Sequence, residues 1–420
     1  MLMLGTAGAR WDSDINDNEI DFLILRFYRY ICEQRNNYKY IADKIYVGFD
    51  ARPQSAVLAR RIKALIDIAP NDDRIHLVNG VPITTPMLCR ICQEHRAYGM
   101  MFTASHNPSN YVGVKFITPD GTLFESGDVS RINGLHVGLD VEYHPVMEFY
   151  RLFDLVKFKN KEYSFSTLGG AARGYIRDIF QGGIEEDNTP ALGNSLEPRE
   201  NNVVLPRQNG ITFALDGDGD RLLVFIDGQA LTPSETFMLF VKASMKYRAL
   251  SHAIAAYNMS NTIEQYCTEN YISFEWSKIG FQHITPKYKA VSGFVAAGEE
   301  SGGLALHPVF SDRDGIAAAI ILMEYNENYG LRHELSYIRN RFGRMRYNRY
   351  DLRNQTISDI TKKIPELNSL MQNIDGEKYL FESGWMMLRE SGTEPLTRIY
   401  CETYYDDNFD LKQFIDGRIS

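Results

Sequence analysis

The chain has 420 residues, of which 44% are hydrophobic and 24% are charged, as is usual for globular proteins. This length exceeds what one hydrophobic core supports, so several domains are expected. The net charge of −9 argues against general nucleic-acid binding, although a locally basic cleft can still bind an anionic substrate. No apolar run approaches the ~18 residues that a membrane span needs, so no membrane partner is expected.

The cysteines and the N-terminus predict a cytoplasmic protein. Five cysteines are scattered along the chain, and the short apolar start is interrupted at Gly5 before it could form the core of a secretory signal. Reduced thiols in the cytoplasm are therefore expected. Cys89 and Cys92 form a C-x-x-C pair, but no second pair completes a zinc site, so two buried thiols on a helix are favoured.

Strand and helix patterns alternate from the start of the chain, which predicts an α/β architecture. Apolar residues at helical spacing predict a helix over residues 19–34. A continuous apolar run predicts a buried strand over residues 45–49, and helical spacing then predicts a helix over residues 54–66.

The run Thr103-Ala104-Ser105-His106-Asn107-Pro108, which we call the serine loop, follows a predicted strand and precedes what the pattern predicts to be the start of a helix. A serine at such a junction can present its oxygen to a ligand, and the amide groups of a following helix stabilise negative charge nearby. Taken alone, the run is equally typical of an ordinary Ser/Asn-Pro turn. Three other segments, far away in the chain, favour the functional interpretation.

Two further α/β units follow. A strand-to-helix turn is expected at residues 168–170, and residues 185–210 are predicted to form mostly surface loop. Strands are expected over residues 253–256 and 294–297, and a helix over residues 315–325. The rest of the chain predicts a smaller last domain.

An acidic loop, Asp216-Gly217-Asp218-Gly219-Asp220-Arg221, lies between two strand-like runs. Carboxylates at alternate positions, separated by glycine, can turn inward together on a tight loop, where their mutual repulsion favours a bound cation. Hard oxygen ligands of this kind suit Mg²⁺. A calcium EF-hand loop is the rival, but it requires helical flanks and a glutamate at the twelfth position, where Asp227 stands.

A third loop, Ala297-Gly298-Glu299-Glu300-Ser301-Gly302-Gly303, is bounded by glycines, and we call it the glutamate loop. A carboxylate and a hydroxyl group two residues apart, here Glu299 and Ser301, can share a pair of neighbouring sugar hydroxyls. By itself, the segment is also typical of a solvated acidic turn.

A basic loop, Arg389-Glu390-Ser391-Gly392-Thr393, follows a predicted strand near the C-terminus. Arginine offers a bidentate fork to phosphate, the hydroxyl groups of Ser391 and Thr393 can donate further hydrogen bonds, and Gly392 lets a backbone N–H approach closely. A capped helix start is the other interpretation, and it is compatible with a phosphate cradle.

Together, the four loops resemble those of the α-D-phosphohexomutase superfamily, which includes phosphoglucomutase and phosphomannomutase. Their order and spacing match that family, and the run Gly5-Thr6-Ala7-Gly8-Ala9-Arg10 resembles its opening loop. Residues 47–53 and 80–86 match as well, so the resemblance covers nearly the whole chain.

The resemblance implies an α/β fold with four domains around one central cleft, namely three related α/β domains and a smaller α+β C-terminal domain. The expected boundaries are residues 1–140 for domain I with the phosphoserine loop, 141–232 for domain II with the metal-binding loop, 233–338 for domain III with the sugar-binding loop, and 339–420 for domain IV with the phosphate-binding loop.

The resemblance also implies roles for individual residues. Ser105 would carry a phosphoryl group, and an oxygen of that phosphoserine would bind Mg²⁺ together with Asp216, Asp218 and Asp220. The residues expected near the transferring group are Arg10, His106 and Lys115. The residues expected to bind the substrate are Arg221, Glu299, Ser301, Arg389, Ser391, Gly392 and Thr393.

The implied activity is transfer of a phosphoryl group between C1 and C6 of a hexose phosphate, with glucose and/or mannose as the sugar. Phospho-Ser105 would donate to the free hydroxyl, the resulting 1,6-bisphosphate would turn end for end, and its other phosphate would return to Ser105. Lys115 or His106 would shuttle the hydroxyl proton. Mg²⁺ and a hexose 1,6-bisphosphate activator are the expected cofactors, and a monomer or homodimer is expected.

Departures from the family pattern leave the identity of the preferred sugar undecided. Trp11 stands where relatives often have glycine, and Asn258 and Phe281 fall where dual glucose/mannose enzymes often carry basic or histidine residues. Thr103 and the form of the glutamate loop resemble the glucose/mannose branch, with phosphoglucosamine mutase and phosphopentomutase as alternatives. A non-catalytic paralogue would have lost the serine or the acidic-loop carboxylates, and both are intact.

Overall fold

The computed structural model describes residues 3–5, 8–12, 23–24, 27, 31, 44–66, 75–124, 139–142, 150, 153, 163–176, 184–186, 195–205, 208–246, 250–353, 355–363, 370–381, 384–390 and 396–404. These residues form four sheets, each built from one continuous stretch of the chain. The architecture is mixed α/β, which confirms the expected fold class. Within the described part of the chain, no helix has the length and apolarity needed to cross a bilayer.

Domain I contains a seven-stranded mixed sheet. Its strands are β1 (Met3–Gly5), β2 (Gly8–Asp12), β3 (Ile45–Phe49), β4 (Ile75–Val78), β5 (Tyr98–Phe102), β6 (Tyr111–Ile117) and β7 (Leu139–Glu142). Their order in the sheet is β1-β2-β6-β5-β3-β4-β7. The strands β5, β3, β4 and β7 run parallel, while β6 pairs antiparallel with both β5 and β2.

Two helices cover this sheet, α1 (Pro53–Ile66) and α2 (Thr85–His95). Thr84 caps α2, and Cys89 and Cys92 lie buried on it, which confirms that they are buried helical thiols. The strand expected over 45–49 and the helix expected over 54–66 are also confirmed. Of the helix expected over 19–34, the structure describes four residues, all helical and buried: Leu23, Ile24, Phe27 and Ile31.

The chain after the serine loop forms a strand, so the expectation of a helix start at this point is wrong. Val112, Val114 and Phe116 of β6 are buried in the domain I core, and Lys115 alternates with them on the opposite face. Apolar residues at every second position are the pattern of a strand, and pairing with β5 and β2 stabilises it. The amide groups of a helix therefore do not lie behind Ser105.

Domain II contains a five-stranded sheet in the order β12-β11-β10-β8-β9, made of β8 (Tyr163–Ser166), β9 (Ile184–Glu186), β10 (Ile211–Leu215), β11 (Leu222–Ile226) and β12 (Gln229–Ala230). The expectation of mostly surface loop over 185–210 is wrong for part of that segment. Leu196 and Val203 are buried against Leu168 and Ala214, and the Leu196 N–H donates to the His106 carbonyl oxygen at 3.0 Å. This stretch therefore packs against the serine loop.

Domain III contains the sheet β14-β13-β15-β16, with strands β13 (Leu250–Ala256), β14 (Ser273–Ser277), β15 (Phe294–Gly298) and β16 (Leu304–His307). Its helices are α3 (Pro233–Ser244), α4 (Thr262–Glu269), α5 (Phe281–Ala290), α6 (Gly315–Tyr329) and α7 (Leu331–Phe342). The predicted strands 253–256 and 294–297 and the predicted helix 315–325 are confirmed. The helix α7 continues across the predicted boundary at residue 338.

Domain IV contains an antiparallel five-stranded sheet in the order β17-β21-β20-β19-β18. The strands are β17 (Met345–Arg353), β18 (Leu370–Asn373), β19 (Glu377–Phe381), β20 (Gly384–Glu390) and β21 (Leu396–Tyr404), and α8 (Ile357–Lys363) packs on them. The strand expected before the basic loop is β20.

Candidate active site

The serine loop connects β5 to β6 and holds Ser105 in a left-handed backbone conformation with φ of 53°. The Ser105 N–H donates to Thr103 Oγ1 at 2.8 Å, and Thr103 Oγ1 donates to Asp50 Oδ2 at 2.6 Å. These bonds hold a conformation that is costly for a residue other than glycine. Ser105 Oγ is buried and donates to Asp216 Oδ2 at 3.0 Å. The serine therefore contacts the acidic loop directly.

Arg52, just before α1, fixes the backbone of the serine loop. Its Nε donates to Asp50 Oδ2 at 2.9 Å, and both side chains are buried. The guanidinium group also donates to four carbonyl oxygens, those of Ser105 at 2.5 Å, Asn107 at 3.0 Å, Pro108 at 3.0 Å and Tyr111 at 3.2 Å. One arginine thus holds four carbonyl groups of the chain between Ser105 and Tyr111, in addition to the backbone hydrogen bond that the Pro108 carbonyl accepts from the Tyr111 N–H.

The acidic loop lies between β10 and β11 and touches the serine loop at Gly217. A Cβ atom there would lie 2.4 Å from the Ser105 carbonyl oxygen, so only glycine allows this approach. Asp216 Oδ1 accepts from the N–H groups of Asp220 at 3.0 Å and Arg221 at 3.2 Å, which sets the shape of the turn. The three aspartates are buried and offer oxygens that all lie within 4.8 Å of one another.

Lys115 brings a positive charge into this cluster from the face of β6 that points away from the domain I core. Its Nζ donates to Asp218 Oδ2 at 2.6 Å and to Asp220 Oδ2 at 2.7 Å, and Thr85 Oγ1 also donates to Asp218 Oδ2. Burial alone would lower the pKa of Lys115, but Asp218 and Asp220 raise it above its usual value. Lys115 therefore stays protonated.

The chemistry of the acidic loop fits a hard divalent cation such as Mg²⁺. The Oδ1 atoms of Asp218 and Asp220 are buried and accept no hydrogen bond from any residue that the structure describes. Burial raises the pKa of Asp216 well above its usual value, and the charges of Asp220 and Asp218 raise it further. Buried carboxylate oxygens without partners are costly unless a cation binds them, and oxygen ligands are those that Mg²⁺ prefers.

Arg10 contacts the serine loop, and His106 is part of it. Arg10 on β2 donates through Nη1 to Asn107 Oδ1 at 3.0 Å, and burial, with a contribution from Arg221, lowers the pKa of Arg10 to about 10. His106 Nδ1 lies 3.4 Å from Ser105 Oγ. Burial, aided by the charges of Arg221 and Arg10, lowers the pKa of His106 well below its usual value, so the imidazole is neutral.

The glutamate loop is attached to the acidic loop. Arg221 and Gly303 form a β-bridge between the two loops. Ser301 Oγ donates to Glu299 Oε1 at 2.7 Å, so the two side chains that the sequence pairs do meet. The structure therefore places the glutamate loop directly beside the carboxylate cluster.

The basic loop is described only at its start. Arg389 Nε lies 3.2 Å from Asp375 Oδ2, which also accepts from the Ile279 N–H at 2.9 Å. Arg389 is thus held close to the loop that precedes α5 in domain III. The other predicted phosphate-binding residues lie outside the described residues: Ser391, Gly392 and Thr393.

Three domain models of the phosphoglucomutase/phosphomannomutase family match this chain. The model of alpha/beta/alpha domain I matches residues 1–135, that of alpha/beta/alpha domain III matches residues 232–342, and that of the C-terminal domain matches residues 352–410. The chain belongs to the α-D-phosphohexomutase superfamily. Its members are phosphohexomutases, which are intramolecular phosphotransferases.

Similarity of this phosphohexomutase to known proteins extends along the chain. It is 24% identical to a phosphoglucosamine/phosphogalactosamine mutase from Sulfurisphaera tokodaii, over 90% of this chain and 92% of the relative. Parafusin, a phosphoglucomutase from Paramecium, has a similar fold, with a TM-score of 0.77 and 18% identity over 99% of this chain and 94% of that chain. N-acetylphosphoglucosamine mutase from Aspergillus fumigatus, in complex with GlcNAc-6P and magnesium, has a TM-score of 0.55 and 12% identity over 95% of this chain and 92% of that chain.

Sequence analysis does not identify two charged residues that join three domains of this phosphohexomutase, Glu197 and Arg349. Glu197 Oε1 lies 3.5 Å from Arg221 Nη1 and 3.8 Å from Arg349 Nη1. Arg349 Nη1 also lies 3.5 Å from Glu300 Oε1, while Glu300 Oε2 accepts from Asn258 Nδ2 at 3.3 Å. Glu197, Glu300 and Arg349 line a cleft of about 830 Å³ between domains II, III and IV. No spacing signal marks these residues, because they meet only in the folded chain.

Sequence analysis also misses Arg52 and Arg313, although each stands in a recognisable context. Arg52 belongs to residues 47–53, which resemble the family without suggesting a role for this side chain. Arg313 lies between two aspartates, Asp312 and Asp314, directly before α6. Asp314 caps that helix, but nothing in this run shows that Arg313 contacts Asp220 and Glu299.

Proposed function

We propose that this phosphohexomutase moves a phosphoryl group between C1 and C6 of a hexose phosphate, with glucose and/or mannose as the sugar, through phospho-Ser105 and a 1,6-bisphosphate intermediate. The observation that carries the proposal is the 3.0 Å contact between Ser105 Oγ and Asp216, inside a buried cluster that includes Lys115. Phosphoryl transfer depends mainly on positioning and on neutralising charge, and this cluster is built for both.

Asp216, Asp218 and Asp220 would hold Mg²⁺ together with a phosphoserine oxygen, and the bound ion would neutralise charge on the transferring group. Lys115 adds a fixed positive charge, because its ammonium group is held between two carboxylates. Arg10, which is fixed by Asn107, would add a second positive charge on the serine loop.

The transfer step exchanges one bond between oxygen and phosphorus for another. The bond between Ser105 Oγ and phosphorus breaks while a bond forms between phosphorus and a sugar hydroxyl oxygen. The proton that the sugar hydroxyl loses must end on the leaving Ser105 oxygen, and His106 is the better placed proton carrier because its neutral Nδ1 lies 3.4 Å from Ser105 Oγ. Lys115, already protonated, serves as a charge rather than as the base.

The substrate would span the cleft between domains. Glu299 would accept hydrogen bonds from sugar hydroxyls, and Ser301 would donate to them or accept from them. Arg221 would approach the substrate from the acidic loop. Arg389, together with Ser391, Gly392 and Thr393, would hold the phosphate that is not being transferred. Because either end of the sugar must be held there in turn, domain IV is expected to close and reopen during turnover.

Phosphoglucosamine mutase is the second candidate. The relative from Sulfurisphaera tokodaii is named a phosphoglucosamine/phosphogalactosamine mutase. A comparison of sugars therefore has to include an amino sugar.

The test is a mutase assay of the full chain with MgCl₂ and glucose 1,6-bisphosphate. Glucose 1-phosphate, mannose 1-phosphate and glucosamine 1-phosphate are compared as substrates, and ribose 1-phosphate is added for the phosphopentomutase alternative. Turnover of glucose or mannose 1-phosphate is expected. Preferred turnover of the amino sugar would favour the second candidate, and turnover of none of the four would overturn the mutase proposal.

The serine role has its own measurement. Ser105→Ala should lose activity by at least about a thousandfold, since the proposed transfer passes through the Ser105 oxygen. Intact mass before and after phosphatase treatment should show one removable phosphoryl group on wild type and none on Ser105→Ala. Ser336→Ala, an exposed serine on α7, is the matched control and should keep the phosphoryl group. A phosphoryl group retained on Ser105→Ala would contradict the assignment.

A further inference from the structure

Arg313 joins the acidic loop to the glutamate loop. Its Nη2 donates to Asp220 Oδ2 at 3.0 Å, and its Nη1 donates to Glu299 Oε1 at 2.9 Å. The side chain is 10% exposed, so water screens these contacts weakly. A single cation is therefore shared by one residue of the carboxylate cluster and one residue of the loop that would bind sugar.

The surroundings of Arg313 leave the guanidinium group little room to move. Its Cζ lies 4.9 Å from the ring centre of Phe281, and its Nε lies 3.7 Å from Asp312 Oδ1. A Cβ atom at Gly303 would lie 2.5 Å from Arg313 Cδ, so this glycine opens the path along which the side chain passes. Arg313 is thus held where it can face both carboxylates at once.

A cation shared between two carboxylates makes the charge state of one matter to the other. With Glu299 ionised, part of the guanidinium charge is drawn toward the glutamate loop, which leaves Asp220 available to a metal ion. Without that charge, Arg313 would keep its more distant contact with Asp312, would pair more strongly with Asp220, and would compete with a divalent cation. The effect is reciprocal, since a ligand that changes one loop must change the affinity of the other.

We propose that Arg313 is a positioning residue that couples the two loops, so that the charge of Glu299 sets the affinity of the acidic loop for Mg²⁺. The metal part of the inference rests on the carboxylate cluster alone. The link to sugar binding rests on the proposed function, because it assumes that Glu299 contacts the sugar.

The test is a double-mutant cycle read out by Mg²⁺ binding to the full chain, measured by isothermal titration calorimetry without any sugar. Glu299→Gln should weaken Mg²⁺ binding by about fivefold in the wild-type background and by less than about twofold in the Arg313→Met background. Glu300→Gln is the matched control. It removes a carboxylate from the same loop, but one that lies beside Arg349 rather than Arg313, and should weaken Mg²⁺ binding by less than about twofold.

If Arg313→Met does not fold, Arg313→Lys serves as the second background of the double-mutant cycle. Lysine keeps the positive charge but lacks the fork that holds two carboxylates, so the effect of Glu299→Gln should shrink in this background too. An equal effect of Glu299→Gln in all backgrounds, no effect in any of them, or no Mg²⁺ binding to wild type would each overturn the inference. Because Mg²⁺ alone is the probe, the outcome does not depend on whether any sugar phosphate is turned over.

Discussion

Among the residues that the structure describes, Lys115 and Lys378 are both buried, and their electrostatic surroundings are opposite. Lys115, in the carboxylate cluster, is 3% exposed, and Lys378, at the contact between domains III and IV, is 0% exposed. Burial opposes the charge of both. Asp218 and Asp220 nevertheless raise the pKa of Lys115, whereas burial lowers the pKa of Lys378 to about 7 despite the nearby Glu402. The neighbouring carboxylates, rather than burial, decide whether a buried lysine keeps its charge.

The surroundings of Lys378 suit a structural role. Its Nζ donates to the carbonyl oxygens of Tyr257 at 3.0 Å and Met259 at 2.6 Å, which ties β19 of domain IV to domain III. The ring centres of Trp385 and Tyr257 lie 4.2 Å and 4.9 Å from Nζ. Glu402 accepts from Trp385 Nε1 at 3.3 Å, and burial raises the pKa of Glu402 to about 7. Here the lysine acts as a hydrogen-bond donor and a packing group, while Lys115 acts as a charge.

The largest effect that separates the two lysines is expected on activity. Lys115→Met should lower kcat/KM by at least about a hundredfold, because the transferring phosphoryl group loses a fixed cation. Lys115→Arg should restore part of the loss. Steady-state mutase kinetics measures both variants, with thermal melting as a check on folding.

Lys287→Met is the matched control for this loss, because it removes a partly exposed lysine that pairs with Glu275. Its kcat/KM should stay within about twofold of wild type. If Lys115→Met kept activity within about tenfold of wild type, the functional contrast between the two buried lysines would be lost.

A smaller effect, on stability and dependent on pH, is expected at Lys378. Its pKa is about 7 in the folded protein and 10.5 as its ordinary value, so the unfolded chain binds more protons between these values. Stability from this group should therefore rise with pH across that window and level off at its lowest value below pH 7, where the lysine is protonated in both states. Relative to Lys378→Met, the free energy of unfolding of wild type should increase by about 2 kcal/mol between pH 7 and pH 9. Urea denaturation at the two pH values measures this, and parallel pH profiles would contradict it.

At Glu402 the expected dependence of stability on pH has the opposite sign. Its pKa is raised from 4.5 to about 7, so its contribution is complete below 4.5 and is lost as pH rises through 7. Relative to Glu402→Gln, wild type should lose about 2 kcal/mol of unfolding free energy between pH 5 and pH 7. A slope of the same sign as that of Lys378 would show that the two groups do not titrate independently.

The smallest effect is expected at an exposed cation. Arg332 forms two hydrogen bonds with Asp227, at 2.8 Å and 2.9 Å, but the side chains are 42% and 47% exposed. Arg332→Ala should lower the free energy of unfolding by about 0.5 kcal/mol in urea denaturation, and less at high salt. A loss of unfolding free energy above about 2 kcal/mol would contradict the expectation that an exposed ion pair contributes less than a buried one.

Short loops between strands were the most predictable part of the fold and of the candidate site. Asp216 and Asp220 are neighbours because a five-residue turn keeps them together, and Glu299 meets Ser301 for the same reason. The strand before Ser105 was also predictable, but the strand after it was mistaken for a helix start. The alternation of Val112, Val114 and Phe116 is a local signal for the strand β6, whereas the pairing of β6 with β2, about a hundred residues away, has no local signal.

The contacts that sequence analysis could not supply join distant segments. Arg313 and Asp220 are separated by 93 positions, and Arg349 meets Glu197 from another domain. Lys378 stands in an ordinary strand pattern, and nothing local shows that three aromatic rings from two domains surround it. Motif spacing finds residues that share a loop, whereas partners brought together by domain packing have no fixed spacing to find.

The grip of Arg52 on the serine loop has a consequence for the small molecule that would bind there. Because one buried guanidinium group holds four carbonyl oxygens, the backbone at Ser105 stays in a fixed position. Under the proposed function, the two ends of a hexose must then reach Ser105 in turn, so the sugar has to move while the serine stays in place. The bisphosphate has to be released far enough to rotate and yet be retained long enough to redock. The residence time of the bisphosphate on the protein between the two transfers, rather than the reactivity of the serine, would then determine how often a turnover is completed before the bisphosphate dissociates.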